Sequence, residues 1–172
     1  MDSSDSLFLD YSARKLRQLG GRIEDCLGRL TAEQIWVRHA ESENAVANLV
    51  LHLSGNVREW IVSAVGGQPD VRQRDAEFAA RGGWAVDGLA KHLHAAVEDA
   101  AGVIETLAPE RLAERVAVQG YNVTVLEAIY HAVEHFSGHT GQIVYATKLL
   151  TGEDLEYYKY LKTVAPHADQ TP

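Results

Sequence analysis

The chain is poor in what several functions require. A single cysteine, Cys26, among 172 residues excludes an intrachain disulfide and a multi-cysteine metal site. Basic charge is in deficit: 16 Lys and Arg against 24 Asp and Glu leave a net charge of −8. That sign is opposite to the footprint that grips a phosphate backbone, so nucleic acid is not an expected partner. Long apolar runs are missing too. The longest, AVANLVLHL from Ala45 to Leu53, is too short to span a bilayer and carries Asn48 and His52. The opening MDSSDSLFLDYSARK lacks the basic-then-apolar order of a secretory signal, no stretch alternates over strand length, and there is no internal repeat or low-complexity segment. With 46% apolar and 23% charged residues, the composition is that of an ordinary globular chain. These features lead us to expect a single cytoplasmic domain over residues 1–172, with no membrane partner.

What is present is helical periodicity. Leu16, Leu19, Ile23, Leu27 and Leu30 step by three and four, predicting a first helix from about Ser6 to Leu30. A second is predicted from about Asn44 to Val65, with Val46, Leu49, Val50, Leu53, Val57, Trp60, Ile61 and Ala64 on one side. The third carries Leu89, Leu93, Ala96, Val97, Ala100, Val103, Ile104 and Leu107, and Pro109 ends it. The fourth opens at Thr124 with Glu127 three residues on, the spelling of a capping box, and closes at Gly152. Four such stripes cannot be buried singly, so an all-α four-helix bundle is expected. The connector GGQPDVRQRDAEFAARGGWA is too long for a simple antiparallel turn. It can cross the bundle and hold a short helix at Asp75 to Ala80. RVAVQGYNVTV spells a short hairpin around Gly120, and Tyr157, Tyr158 and Tyr160 are expected to pack on the bundle.

Eight histidines are present, and their spacing is more telling than their number. In HAVEHFSGHTGQI, His131, His135 and His139 fall at successive steps of four, so their imidazoles stack on one helix face. Two histidines at i and i+4 can chelate a divalent ion, and a third ligand must then come from another element. On a helical wheel His139 lies roughly 70° from the apolar centre, His135 roughly 110° and His131 roughly 150°. The first two therefore flank the core, while His131 points outward. His52 lies roughly 120° from its own stripe centre, within a second row of Asn44, Asn48, His52 and Asn56. Asparagine is a poor helix former, and two polar rows beside two apolar stripes suggest the walls of one slot. His92 and His94 face different ways and read as surface; His39 and His167 fall in loops.

Three blocks, NLVLHLSGNVREW, RQRDAEF and HFSGHTGQI, occur in an order that resembles the DinB-like superfamily, over nearly the whole chain as far as about Leu150. The resemblance implies an up-down-down-up bundle with a long crossover between helices two and three. It also implies one divalent metal held by His52, His135 and His139, the histidines the wheel places beside the core. His131 matches a position that often holds histidine without being a ligand. Characterised relatives include metal-dependent thiol transferases and a thiol-dependent isomerase using bacillithiol or mycothiol.

Three neutral imidazoles leave a divalent ion open positions, the mark of catalytic rather than closed sites. A metal of the zinc, nickel or iron class suits imidazole. Either a thiol or water can be activated there, so transfer of a low-molecular-weight thiol to a small electrophile and metal-dependent hydrolysis are both open. So is a non-catalytic metal-binding or interaction bundle. Expected partners are a small-molecule substrate and a second copy of the chain. Asn48, Asn56, His131 and Gln142 are candidate groups orienting the ligands. Glu59 and Glu134 read as solvated helix surface, Cys26 as a small core residue, and Trp60, Phe78 and Trp84 as packing. Arg58, Arg74, Asp75 and Glu77 are expected to form salt bridges that hold the crossover, with substrate contact as the lesser alternative.

Overall fold

The computed structural model describes residues 3–159. Its long helices are α1 (Ser4–Leu27), α2 (Val46–Val57), α4 (Val86–Glu105) and α5 (Val125–Thr151), with a short α3 (Arg74–Ala79) in the connector between α2 and α4. The chain is thus mainly helical. The predicted hairpin is present as β1 (Arg115–Val118) and β2 (Tyr121–Thr124), antiparallel with Arg115 opposite Thr124. Its two-residue turn has positive φ at both Gln119 (51°) and Gly120 (81°), the geometry that matches the twist of tight hairpins. The first helix runs a few residues earlier than its apolar stripe suggests, starting where the Ser3 hydroxyl accepts the N–H of Ser6. The second is not uniform. After Val57 the chain continues through a π-helical stretch, Arg58–Val65, and the wider coil turns successive side chains away from the 3.6-residue period.

The helices bury their stripes on one another. Each of α1 and α2 packs on both α4 and α5, around fully buried Leu16, Ile23, Leu53, Leu93, Ile104, Ile129, Phe136 and Ile143. Specific contacts give the directions. Arg17 pairs with Glu98 and Glu105 while Glu24 meets His94, so α1 and α4 run oppositely. Gln34 donates to the Leu150 carbonyl and Arg29 pairs with Glu153, placing the ends of α1 and α5 together. Cys26 is fully buried there, 3.4 Å from the Tyr157 hydroxyl, which donates to the Asp25 carboxylate at 2.9 Å and lies 3.1 Å from the Arg22 carbonyl. Burial and these neighbours push the Tyr157 phenol above its ordinary range. Of the other tail tyrosines, Tyr158 is exposed rather than packed, and Tyr160 lies outside the described residues. Among the described residues, no helix is long and apolar enough to cross a membrane.

The start of α5 follows its sequence signature. The Thr124 hydroxyl accepts the Glu127 N–H, and the Glu127 carboxylate accepts the Thr124 N–H and O–H; at the other end Gly152 adopts the left-handed conformation at φ 72°. These bonds hold the Glu127 carboxyl below its ordinary value of 4.5. Thr124→Ala should therefore lower unfolding stability by about 1 kcal/mol in urea titrations. Because the folded-state value is depressed, the Glu127 contribution is complete above its unfolded value and is lost as the pH falls through the folded one. Glu127→Gln should flatten that acid limb of the stability curve while leaving the rest of the curve in place.

Candidate metal centre

The step-of-four rows of α2 and α5 meet because the two helices run oppositely, with His52 beside His135 and His139 and, two turns on, Trp60 beside His131. His52 and His135 approach to 2.8 Å between their Nε2 atoms. One donor nitrogen from each of His52, His135 and His139 lies within 4.8 Å of the other two. Tetrahedral nitrogen ligands with bonds of about 2.1 Å stand roughly 3.4 Å apart, a separation that these rings bracket. His52 is only 6% exposed, while His135 and His139 are half-buried. Burial, reinforced by the neighbouring His139, His52, His131 and Arg72, depresses His135 to about 3. His139 is lowered chiefly by burial, against the opposing effect of its bond to Gln142. Those two imidazoles are neutral at physiological pH and keep the lone pair that a cation needs. The set can hold a metal ion.

Behind His52 stands a buried ion cluster in which Glu77 makes the salt bridge expected of it, with Arg72 as its partner and Glu59 as a further member, neither of which the sequence marked for that role. Arg72 in the crossover, its side chain 4% exposed, makes a two-pronged pairing with Glu77 of α3 at 2.8 and 2.7 Å and a third bond to Glu59 at 2.7 Å. Gln119 of the hairpin turn donates to the same Glu59 oxygen at 2.7 Å. Glu59 is therefore a partner in the cluster rather than solvated surface, turned there by the π-helical stretch. Burial alone would raise Glu77, but Arg72 and His52 outweigh it and hold the carboxyl below its ordinary value.

His52 Nδ1 lies 3.0 Å from Arg72 Nη2 and 3.3 Å from Glu77 Oε2, and the two contacts demand opposite tautomers. Arg72 Nη2 carries two hydrogens, one of them given to Glu77 at 2.7 Å. Of the two tautomers, the one with Nδ1–H of His52 donating to Glu77 leaves Nε2 bare and facing His135, as a metal ligand requires. Gln142 does the same for His139, its Oε1 being 2.8 Å from Nδ1.

The other sequence candidates sit elsewhere. Asn48 bonds the Glu77 and Ala80 carbonyls and accepts from Arg38 and from the Ala45 N–H, so it ties the crossover to the start of α2, and no hydrogen bond joins it to the histidines. Asn56 is buried with its Oδ1 unpartnered, and no hydrogen bond joins it to the histidines. His131 is not outward but half-buried, its ring 4.0 Å from Trp60 and 5.5 Å from His135. Phe78 lies 4.8 Å from the His52 ring and covers it. His94 is exposed as expected, whereas His92 is half-buried against Trp84. Arg58 pairs with Asp99, and Arg74 lies over the Phe78 ring. A cavity of about 670 Å³ lies on the other side of the ion cluster, bounded by Gly55, Arg58, Arg72, Glu77, Trp84 and His92; none of the three clustered histidines lines it. His167 lies outside the described residues.

Gly55 makes the cluster possible. A Cβ there would stand 2.0 Å from Glu77 Oε1 and 2.9 Å from Arg72 Nε. Glu77 can swing aside only by exposing or unpairing a buried guanidinium. Alanine normally stabilises a helix over glycine by about 1 kcal/mol, but Gly55→Ala should instead destabilise by about 1–3 kcal/mol. Gly21→Ala, at an exposed site on α1 where a Cβ meets nothing within 4 Å, should show the ordinary stabilising sign. Denaturant midpoints of the two variants check the contrast.

A crystal structure titled as that of the conserved protein of a locus from Enterococcus faecalis is similar in fold, with a TM-score of 0.67 at 19% identity, covering 83% of this chain and 96% of that one. No curated protein matches the chain. The family model described as "Protein of unknown function (DUF1572)" matches residues 3–163, and the chain, with its three converging histidines, belongs to that family.

Proposed function

We propose that the protein is a DinB-like, divalent-metal-binding protein of the cytoplasm in which His52, His135 and His139 are the ligands. The observation that carries this reading is the convergence of three imidazole donors within 4.8 Å, from two helices far apart in sequence. The pairwise directions of the helices support an up-down-down-up bundle with its crossover between α2 and α4. That topology delivers α3 to the back of His52.

We further propose that the site activates a low-molecular-weight thiol of the bacillithiol or mycothiol type for transfer to a small electrophile. A divalent ion of the zinc, nickel or iron class in such a donor set supplies a Lewis acid able to deprotonate a thiol, or water in the hydrolytic alternative, near neutral pH. The residues of the chain supply the rest. Glu77 and Gln142 can accept the Nδ1–H of two of the imidazoles while their other nitrogens hold the ion, and Arg72 keeps Glu77 ionised. Phe78 shields His52, while the half-buried rings of His135 and His139 leave one side open to solvent.

A second reading, a metal-binding bundle without turnover, is favoured by one observation: the cavity of about 670 Å³ is bounded by Arg72 and Glu77 rather than by the histidines.

Metal analysis of the purified protein should give one divalent ion per chain. His52→Ala, His135→Ala and His139→Ala should each lose it, while His131→Ala, which removes a ring lying between Trp60 and His135 but no ligand, should retain it. Equal loss from His131→Ala would overturn the ligand set. Consumption of a thiol by the metal-loaded protein in the presence of an electrophilic acceptor supports transfer; no consumption with any retained metal removes that reading in favour of the second.

A further inference from the structure

The side of α5 facing away from the bundle carries a pattern that the fold of a single chain does not explain. At about 100° per residue, Tyr130, Glu134, Ser137, Gly141, Tyr145 and Lys148 fall along one stripe. All six are exposed, the two tyrosines at 64% and 66%. Gly138 and Gly141 interrupt the middle of this 27-residue helix, and a Cβ at either would meet nothing within 4 Å. Each glycine costs a helix interior about 1 kcal/mol relative to alanine, and neither makes room for any described part of its own chain. Glycine at such a position suits the close approach of another backbone.

The stripe is also symmetric about Gly141. Seven residues before it is Glu134 and seven after is Lys148; four before is Ser137 and four after is Tyr145; eleven before is Tyr130 and eleven after is Gly152. When two copies of a helix lie antiparallel across a two-fold axis, residues equidistant from the axis on opposite sides face each other, and the contact is made by the same patch on both copies. With Gly141 on the axis, each acid therefore faces a base and each tyrosine faces a serine or a glycine. Lys148 has only a loose contact of 4.0 Å with exposed Asp154, and Glu134 has no ion-pair partner among the described residues. Charge and side-chain size fix one register independently.

We propose that this face is the interface of a homodimer in which α5 packs antiparallel on α5 of a second copy, centred on Gly141. The inference stands apart from the metal reading, because His135 and His139 lie on the opposite side of the helix, roughly 120° to 160° from Gly141.

Light scattering or sedimentation of the full chain at micromolar concentration tests it. The wild type should have twice the 18.9 kDa mass of one chain. Glu134→Lys and Lys148→Glu should each give monomers, since either change sets like charges against each other at both ends of the interface. The doubly reversed variant should regain the dimer mass. Circular dichroism verifies that each variant keeps its helix content. As a second measurement, Gly141→Cys should be joined by a short bismaleimide into a covalent dimer, whereas Gly21→Cys on α1 should not; the native Cys26 is buried. A monomeric wild type would overturn the proposal, and would leave this face to some other occupant. So would a dimer indifferent to both charge reversals, or a double reversal that fails to restore association.

Discussion

The guanidinium of Arg72, nearly sealed from water between Glu77 and Glu59, is the interaction on which the candidate centre depends. Taking an ion that far from solvent is costly, and the cost is offset only when every donor is paired in good geometry. The pairing enlists four separate segments: Arg72 from the crossover, Glu77 from α3, Glu59 from the π-helical stretch and Gln119 from the hairpin turn. Each of them is irregular or short; the π-helical stretch is anchored by buried Trp60, Ile61 and Val65, but α3 buries no apolar side chain of its own. The cluster converts a long connector, which chain entropy would otherwise leave loose, into a rigid wall behind His52. Neutralising either glutamate would leave a buried charge partly unpaired, whereas removing an exposed pair such as Arg14 with Asp10 would cost little.

Much of the fold could be read from periodicity because amphipathic helices announce themselves through repeated apolar steps. The Thr124 cap, the Gly152 stop, the turn at Gly120 and the short helix in the connector were all legible for local reasons: each depends on residues within a few positions of one another. The histidine trio was legible because a step of four is a geometric statement within a helix, and His52 lay in a second polar row. What escaped was non-local. Glu59 reads as surface on an α-helical wheel, but the wheel assumes 3.6 residues per turn, and the chain widens just there. Arg72 follows no period at all. Its only trace was the density of charge in RQRDAEF, within a connector otherwise too long for its task. Asn48 belonged to the expected row, yet its amide satisfies backbone carbonyls of the crossover, a target that no wheel on α2 alone could reveal.

The helix wheel also misjudged depth. It placed His52 on a flank, which is correct for the α2 stripe against α4 and α5. It could not anticipate that α3 and Phe78 would close over that flank and leave His52 almost wholly buried. His131 shows the same error more strongly, because Trp60, carried round by the π-helical stretch, lies over it. In both cases the missing information was an irregular segment covering a regular one. Polar rows beside a core are therefore better regarded as positions waiting for a cover than as solvent-facing surface.

In α5 the sequence SGHTGQI serves three surroundings within two turns. Thr140 and Ile143 point into the core, the threonine returning its hydroxyl to the Phe136 carbonyl at 2.7 Å. His139 and Gln142 form the edge of the histidine cluster, bonded to each other at 2.8 Å. Gly138 and Gly141 open outward onto empty space. A helix gives only about 100° per residue, so three such rows can coexist only if the core row is kept narrow. Small residues at Ala128 and Ala132 and the single large ring of Phe136 achieve this. The large apolar residues on α1, α2 and α4 fill the rest of the interior. That division of volume leaves two sides of α5 free for polar chemistry and for outward contact, and it accounts for a helix in which glycine and histidine are tolerated despite their poor intrinsic propensity.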